Sequence, residues 1–478
     1  MSHFIGRQVE LATLSALFKK RSASLVVTKG RRRIGKSRLI EEFAARSAVD
    51  AFYRFSGIVP TKETTAQSQR DQFASQLSIQ GFPKIKAEDW NDLFWLLADK
   101  AKKGRVIILF DEISWMGSHD ADFLGQLKNA WDLHFKQNDQ LILVLCGSIS
   151  VWIEKNILGS TGFVGRISLD MTLKELPLFD CDAFWGKRTT HVSAYEKLKV
   201  LSVTGGVPLY LEHIDPTSSA EENIKRLCFL SHGILFEEFE KLFSDLFSVR
   251  AEKYRKIIRY LANQPAQQEA IGKYLHLKQS GDVGEYLDEL IKSGFIARDY
   301  TWHIRDGRLS TLSQYRLSDN YARFYMKHIY PNRIKIINNQ FAAASLTNLS
   351  GWHTLMGLQF ENLVLNNRHL LWQLLKIKPE EIVCDNPYFQ RKTARYPGCQ
   401  IDYLIQMKHN TLYIIEIKFS KDAIKSDVIR SMQKKIAALA MPRHFSYRPI
   451  LIHVNGVTDE VMDADFFADI IDFGQFLK

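Results

Sequence analysis

The octapeptide GRRRIGKS, Gly30 to Ser37, limits the possible folds of this chain more than any other segment. It fits the pattern G-x-x-x-x-G-K-[ST], follows the β-branched run SLVVT, and precedes RLIEEFAARS, whose apolar spacing is helical. A strand, a glycine-containing loop and a helix in this order form a phosphate-binding loop. Gly30 and Gly35 allow backbone N–H groups to surround phosphates at the helix N-terminus. The sequence therefore predicts an α/β domain that binds ATP or GTP.

The side chains of this loop have distinct expected roles. Lys36 is expected to reach the β- and γ-phosphates, and Ser37 to offer its hydroxyl to Mg²⁺. A pocket that binds nucleotide and has lost hydrolysis is the alternative. The predicted nucleotide contacts are Gly30, Arg31, Arg32, Arg33, Ile34, Gly35, Lys36, Ser37 and Arg38.

Two further apolar runs end in polar residues that suit the same site. RVIILFDEIS ends in acids, of which Asp111 would hold the Mg²⁺ shell and Glu112 would orient or deprotonate the attacking water. LILVLCGSIS contains Ser148, which would sense the γ-phosphate from the neighbouring strand. The alternatives are a solvated strand end for the acids and an ordinary strand-end serine.

Length and charge set the broad class. The 478 residues predict two to four domains, and 46% hydrophobic with 24% charged residues describes a globular protein. The net charge of +11 favours polyanionic partners such as nucleic acid, although many basic proteins bind none. The five cysteines include no CxxC pair, which argues against a zinc ribbon or a disulfide framework.

The chain shows no sequence signal for membranes or secretion. MSHFIGRQVE lacks the apolar core of a signal peptide, and runs such as VIILF are too short to span a bilayer. A cytoplasmic protein is the expectation.

The first half of the chain resembles a known family. The segments FIGRQVELATL, GRRRIGKSRLI, ILFDEIS, LCGSIS, FVGRISL and TGGVPLYLE occur in this order. They look like the ATP-binding module of the archaeal-type P-loop ATPases, of the AAA+ and signalling (STAND) group. The resemblance implies ATP as the nucleotide, Phe4 to Arg7 near the adenine, and Pro208 closing over the nucleotide. Arg166 would reach a phosphate in its own subunit or in a neighbour of a homo-oligomer, unless it is an ordinary surface arginine.

The middle of the chain changes character. EKYRKIIRYLANQ, QEAIGKYLHL and VGEYLDELIKSGFI have helical spacing, and the last helix is expected to stop at Gly294. β-branched and aromatic runs then flank an Asp306-Gly307 turn. Helices followed by a hairpin predict a winged helix, which the archaeal-type ATPases also carry at this place.

DNA binding by this segment is open on sequence grounds. Arg305 and Arg308 in the predicted wing suit a phosphate backbone. The helix that would enter the groove carries acids that repel phosphates, and a protein-contact module is the alternative. These acids are Glu285, Asp288 and Glu289.

The last third of the chain carries a constellation of acids and a lysine. GLQFENLVLNN is an apolar-periodic helix with Glu361, and CQIDYLI and LYIIEIKFS are the arms of a predicted hairpin. Asp402 lies in the first arm, and Glu416 and Lys418 share one face of the second. Two converging carboxylates suit Mg²⁺ or Mn²⁺, and Lys418 would position water beside the metal. The alternative is an ion pair without a metal.

This constellation resembles the PD-(D/E)xK nuclease superfamily over residues 351–478, and such domains are often fused to archaeal-type ATPases. The resemblance implies Asp402 and Glu416 as metal ligands and Lys418 and Glu361 as catalytic residues. Gln400-Ile401 replaces the proline that names the motif. Gln433, on the following helix, is a further site residue or a solvated glutamine.

The sequence thus predicts a multidomain α/β protein. Residues 1–245 form a P-loop AAA+-like ATPase domain with a helical lid, 246–330 a winged-helix domain, and 331–478 a restriction-endonuclease-like α/β domain. The expected function is ATP binding and hydrolysis that gates a Mg²⁺-dependent DNA nuclease. One alternative is a signalling ATPase whose nuclease-like domain only binds partners, and another is an ATP-responsive DNA-binding regulator.

Overall fold

The computed structural model describes residues 4–148, 151–247, 250–277, 280–341, 344–394 and 396–477. The chain divides into two compact units, Met1–Glu175 and Leu176–Lys478. Residues 176–245, which the sequence analysis includes in the ATPase domain, belong to the second unit. The predicted domain boundaries at residues 245 and 330 stay predictions.

The described part of the first unit is built on a five-stranded parallel sheet with the order β2-β3-β4-β1-β5. Its central strands β3 and β4 are apolar up to their carboxyl ends and buried on both faces, as parallel sheets covered by helices require. The order places the carboxyl ends of β3, β4 and β1 side by side. The strands are β1 Ser24–Gly30, β2 Ala51–Ser56, β3 Val106–Asp111, β4 Leu141–Ser148 and β5 Ile167–Leu173.

An aromatic cluster fills the core on one side of this sheet. Phe55 on β2 stacks on Phe73 at 4.2 Å between ring centroids, and Phe94 stacks on Phe110 of β3 at 5.8 Å. These rings join the helices to the strands whose ends carry the predicted site. The helices of this unit are Gln8–Leu17, Lys36–Arg46, Ala66–Ile79, Trp90–Lys100, Ile113–Met116, Phe123–Leu133 and Val151–Ile153.

The second unit begins with helices and then a hairpin. The helix Ser280–Lys292 ends before Gly294, whose φ of +73° is the left-handed conformation expected at a helix end. Strands β6 Ile296–Trp302 and β7 Leu309–Leu317 pair antiparallel, and Gly307, at φ +71°, lies in their connection. The predicted order of helices and hairpin is therefore observed, while its assignment as a winged helix stays a prediction. The helices up to the hairpin are Leu178–Cys181, Ala194–Thr204, Pro208–Leu211, Ala220–Cys228, Glu238–Phe247, Ala251–Leu261, Gln268–Tyr274 and Ser280–Lys292.

The rest of the second unit contains a mixed sheet, whose five described strands have the order β12-β11-β10-β9-β8. β8, β9 and β10 are antiparallel neighbours, and β11 and β12 continue in parallel. The strands are β8 Ile382–Gln390, β9 Cys399–Met407, β10 Thr411–Ile417, β11 Ser446–His453 and β12 Asp469–Asp472. The accompanying helices are Asn320–Phe324, Arg333–Ile337, Trp352–Asn366, Arg368–Leu374, Asp427–Ala438 and Asp459–Asp463.

Two features of this sheet differ from expectation. β10 ends at Ile417 rather than at Ser420, because its pairing with β9 stops at Ile415 and its pairing with β11 stops at Ile417. β8, which contains Pro387, is a strand that the sequence analysis does not predict. Pro387 lies where the register shifts, on the edge strand of the sheet, which is where a strand tolerates proline.

None of the helices in the described part of the chain has the length and apolarity needed to cross a bilayer.

Candidate functional site

The phosphate-binding loop is formed by two glycines in conformations that other residues avoid. Gly30 ends β1 with φ +147°, and a Cβ atom there would lie 2.4 Å from the carbonyl oxygen of Leu173. Gly35 has φ +87° and starts the helix Lys36–Arg46. The loop therefore turns directly from the end of β1 into a helix N-terminus, which is a favourable position for an anion.

Lys36 is buried at the centre of this loop. Its Nζ donates to the carbonyl oxygens of Gly30 and Arg31, both at 3.1 Å, and to Ser148 Oγ at 3.2 Å. The acceptors other than Ser148 are backbone groups of the loop itself. The ammonium is thus held where the predicted phosphates would lie.

The hydroxyl of Ser37 donates to Asp111 Oδ2 at 2.7 Å. Arg54, on β2, donates to the same carboxylate oxygen at 3.0 Å and also pairs with Glu41. A hydroxyl beside a buried carboxylate is a hard-oxygen donor set that fits Mg²⁺. Arg54 was not predicted as a site residue, because its approach to Asp111 depends on the pairing of β2 with β3.

Glu112 follows directly after β3 with φ +51°, a strained conformation for a non-glycine residue. Its carboxylate accepts from Ser148 Oγ at 2.7 Å and from the Ser148 backbone N–H at 3.3 Å. Ser148 therefore joins Lys36 to Glu112. β4 lies between β3 and β1, so this strand order brings the three side chains together.

The other predicted loop contacts lie around this centre. Arg31 pairs with Glu175 at 3.5 Å, and the guanidinium of Arg32 lies over the Trp115 ring at 4.9 Å. Arg33 is exposed at φ +70°, Ile34 is buried, and Arg38 lies half-buried in the first turn of the helix.

Arg7 ties the start of the chain to the loop. It is buried, and its Nη2 donates to the carbonyl oxygens of Ile34 at 3.3 Å and Lys174 at 2.5 Å. This contact brings Arg7, at the end of the segment predicted near the adenine, to the phosphate-binding loop.

Arg166 lies at the other edge of the sheet. It directly precedes β5, whose first residue pairs with Leu25 near the start of β1. Its guanidinium donates to both carboxylate oxygens of Asp132, at 2.9 and 2.8 Å. The alternative in which Arg166 reaches a phosphate of its own subunit is therefore wrong, because the length of β1 separates it from the loop. Pro208 belongs to the second unit, where it starts the helix Pro208–Leu211, and its predicted role stays a prediction.

The second unit brings together the acids predicted on β9 and β10. Asp402 Oδ2 accepts from the backbone N–H of Ile417 at 2.9 Å, and Lys418 Nζ lies 2.7 Å from Glu416 Oε1. Lys435, on helix Asp427–Ala438, joins the two acids: its Nζ lies 3.1 Å from Asp402 Oδ1 and 2.5 Å from Glu416 Oε2. The sequence analysis did not identify Lys435. It named Gln433, which is exposed, as the alternative of a solvated glutamine requires.

The charges of this cluster balance without a metal. Burial and the neighbouring Glu416 raise the pKa of Asp402. Burial also raises the pKa of Glu416, but Lys435 and Lys418 outweigh it, and the pKa lies below its ordinary value. Lys435 lies between the carboxylates where a cation was expected, and the described residues contain no group of three acids, histidines or cysteines placed to hold a metal. In the observed arrangement the ammonium of Lys435 takes the position that was expected for the metal ion.

Glu361, on helix Trp352–Asn366, lies near this cluster. Burial, followed by the charge of Asp402, raises the pKa of Glu361 to about 7, and Asp299 acts in the same direction. Arg316 and Arg323 act against this rise. In the hairpin connection, Arg308 is exposed and pairs with its neighbour Asp306 at 2.6 Å, and Arg305 is exposed as well.

Comparisons with known proteins bear on the first of these sites. Residues 4–214 match a family model described as an ATPase domain predominantly from Archaea, so this part of the chain is a P-loop ATPase domain of that family. An uncharacterized protein of Methanocaldococcus jannaschii is 25% identical, with 94% of this chain and 95% of the relative covered.

One solved structure shows a likeness of fold, and a second aligns with a lower score. The Walker-type ATPase of Pyrococcus abyssi aligns with a TM-score of 0.50 at 17% identity, covering 68% of this chain and 96% of that one. The ORC2 protein of Aeropyrum pernix aligns with a TM-score of 0.45 at 12% identity, covering 72% and 98% of the two chains.

Proposed function

We propose that the chain hydrolyses ATP at the carboxyl ends of β1, β3 and β4, because residues 4–214 form an ATPase domain of this family. We also propose that the bound nucleotide controls the second unit. The observation that carries the proposal is the position of Ser148. Its hydroxyl contacts Lys36 Nζ at 3.2 Å and Glu112 Oε1 at 2.7 Å. A change at the phosphates is thereby transmitted to the acid that orients water.

The residues act in the following way. The loop and Lys36 bind the phosphates of ATP, while Ser37 and Asp111 are the residues that would hold Mg²⁺. When bound, Mg²⁺ neutralises charge on the β- and γ-phosphates. A γ-phosphate competes for Lys36 and Ser148, so that Glu112 is released to accept a proton from water.

The test is ATP turnover by the purified full chain. We expect Lys36→Ala to abolish binding and Glu112→Gln to bind ATP but to lower kcat by about 100-fold or more. Lys62→Ala and Glu63→Gln, exposed residues of the same unit, are the matched controls. Turnover by Glu112→Gln at the wild-type rate would contradict the assigned base. Comparing ATP with GTP tests the expected adenine preference.

A second candidate function is a Mg²⁺-dependent nuclease in the second unit, gated by ATP and acting on DNA. The observation that favours it is the convergence of Asp402 and Glu416 from adjacent strands, with Lys418 on Glu416. Lys435 opposes it, because its ammonium lies on both carboxylates. No cleavage step is derived from this arrangement.

Cleavage of supercoiled plasmid tests this candidate directly. The purified protein is incubated with Mg²⁺ or Mn²⁺, with and without ATP, beside Glu416→Ala. Nicking that the variant lacks supports the nuclease, and a dependence on ATP supports gating. No cleavage with intact ATP turnover favours the signalling ATPase, whereas duplex binding that requires Arg305 and Arg308 favours the DNA-binding regulator. Light scattering with and without ATP tests the proposed homo-oligomer.

A further inference from the structure

Two segments of the second unit contain basic residues and no acidic ones. Residues 386–401 include the connection from β8 to β9, and residues 428–453 run from helix Asp427–Ala438 to the end of β11. Together the two segments hold eight lysines and arginines, and neither holds an aspartate or a glutamate. Basic side chains without acids among them favour a polyanionic partner where the fold brings them to one surface.

Gln390, the last residue of β8, joins the two segments. Its Nε2 donates to the carbonyl oxygens of Pro397 at 2.7 Å and Ala438 at 2.9 Å. Its Oε1 accepts from the backbone N–H of Ala440 at 2.8 Å. One side chain thus ties the connection between β8 and β9 to the end of the helix. The backbone that carries the basic side chains is therefore held in place before any partner binds, which lowers the entropic cost of binding.

Four exposed cations lie around this junction. Two directly follow β8, one lies one helical turn before Ala438, and one lies between that helix and β11. Arg391 Nη2 donates to the neutral Gln267 Oε1 at 2.6 Å, and no described carboxylate forms an ion pair with any of the four. We call this surface the basic face, and its members are Arg391, Lys392, Lys434 and Arg443.

The neighbouring negative charges do not cancel the basic face. The pKa of Glu269 is lowered mainly by its hydrogen bond to Lys273, which lies 2.6 Å away, and to a lesser extent by the charge of Arg391. The two carboxylates on β9 and β10 are paired with Lys418 and Lys435. The carbonyl groups at the end of the helix carry about half a negative charge, which is less than the four cations supply.

We propose that the basic face binds the phosphate backbone of a nucleic acid. Lysine and arginine side chains supply such contacts together with neutral hydrogen-bonding side chains, and Gln433, next to Lys434, is exposed as well. A face that binds an anionic membrane needs large apolar side chains that insert beside its cations. The exposed residues of the helix around Lys434 are instead Arg430, Gln433 and Ala437. A nucleic acid is therefore the polyanion that fits.

A nucleic acid on this face would lie beside the acidic cluster of β9 and β10. Lys434 is adjacent to Lys435, whose Nζ lies 3.1 Å from Asp402 Oδ1 and 2.5 Å from Glu416 Oε2. The inference therefore deepens the second candidate function, and it rests on that function for what happens to the bound strand. Binding itself requires neither cleavage nor a metal, so the two can fail separately.

The test measures binding by fluorescence anisotropy with the full chain. Lys36→Ala is the background, because it removes the phosphate-binding lysine of the first unit, and EDTA excludes metal-dependent cleavage. The labelled probes are a duplex DNA, a single-stranded DNA and a single-stranded RNA of one sequence. We expect binding that weakens steeply as the salt concentration rises, as several phosphate contacts require. The probe that binds most tightly identifies the kind of nucleic acid.

Two variants remove cations from the basic face. We expect Lys392→Ala and Lys434→Ala each to weaken binding by about two- to tenfold and to reduce the salt slope by about one. The matched control combines Lys378→Ala with Lys408→Ala, exposed lysines at the other end of β8 and β9. It removes the same net charge as the two face variants combined and should change neither the affinity nor the slope. An unchanged melting temperature checks that each variant folds.

Several outcomes would overturn the proposal. One is no binding of any probe at micromolar protein concentrations, and another is equal weakening by the combined face variants and by the control. A loss of binding confined to Arg305→Ala and Arg308→Ala would assign the contact to the hairpin of β6 and β7. Binding of phosphatidylserine vesicles but of no nucleic acid, through Lys392 and Lys434, would assign the face to a membrane. The expected binding without nicking of plasmid in Mg²⁺ would support the basic face and contradict the nuclease alone.

Discussion

Ser148 joins the lysine of the phosphate-binding loop to the proposed base, Glu112. Its hydroxyl contacts both Lys36 and Glu112, so Ser148→Ala removes a charge-assisted hydrogen bond without altering either charge. We expect kcat to fall by about tenfold to 100-fold, with little change in KM. Steady-state ATPase kinetics measure both, and Ser75→Ala, an exposed serine, serves as control. An unchanged kcat, with Glu112→Gln inactive, would exclude a role for Ser148.

The raised pKa of Glu361 predicts that the stability of the folded protein depends on pH. Its pKa rises from 4.5 to about 7 in the folded protein, so the folded state holds a proton that the unfolded state has lost. Stability is therefore highest below about pH 4.5 and declines as the pH rises to about 7, by about 3 kcal/mol. Glu361→Gln stays neutral and should be more stable than wild type by this amount above about pH 7, with no gain at low pH.

Hydrogen exchange of amides in helix Trp352–Asn366, at about pH 5 and about pH 8, measures this difference in the second unit alone. Glu380→Gln, at an exposed position of the same unit, should show no such dependence. A stability gain for Glu361→Gln that is equal at both pH values would show that the burial of a charge is not its cause.

At the scale of elements, helix Asp427–Ala438 determines what β9 and β10 can bind. It supplies Lys435, whose ammonium neutralises Asp402 and Glu416. We expect Lys435→Met to increase the affinity for Mn²⁺ by about tenfold or more, because the competing cation is removed and Lys418 alone is left to balance two buried carboxylates. Isothermal titration calorimetry measures the affinity.

The double variant Lys435→Met with Glu416→Ala is the control for this titration and should lose the gain. Lys434→Met, at the adjacent exposed position, should bind Mn²⁺ as wild type does. Unchanged affinity in Lys435→Met would mean that the two carboxylates are not a latent metal site.

These elements also show what sequence can and cannot predict. The loop from Gly30 to Ser37 was predicted in full, because strand, glycines and helix are adjacent in sequence. Asp111, Glu112 and Ser148 followed from strand ends of a parallel sheet. Arg54 and Lys435 were missed, because their contacts depend on the register of β2 and on how a helix packs over β9 and β10. The sequence around Glu416 predicts a buried charge but does not tell which cation neutralises it.

At the scale of the whole molecule, the open question is whether ATP in the first unit changes the second. Binding alone predicts slower hydrogen exchange around the phosphate-binding loop and the ends of β3 and β4, because a ligand that binds the folded state stabilises it. Control of the second unit predicts an additional change in exchange, in either direction, at β9, β10 and helix Asp427–Ala438. The measurement compares the full chain with and without ATP and Mg²⁺.

Glu112→Gln and Lys36→Ala separate the sources of that change. Glu112→Gln holds ATP without hydrolysis, so a change in the second unit that persists there is caused by binding, and one that disappears requires turnover. Lys36→Ala should show no change in either unit. If ATP protects only the first unit in both wild type and Glu112→Gln, the nucleotide does not control the second unit. The acidic cluster on β9 and β10 would then have to act independently of ATP.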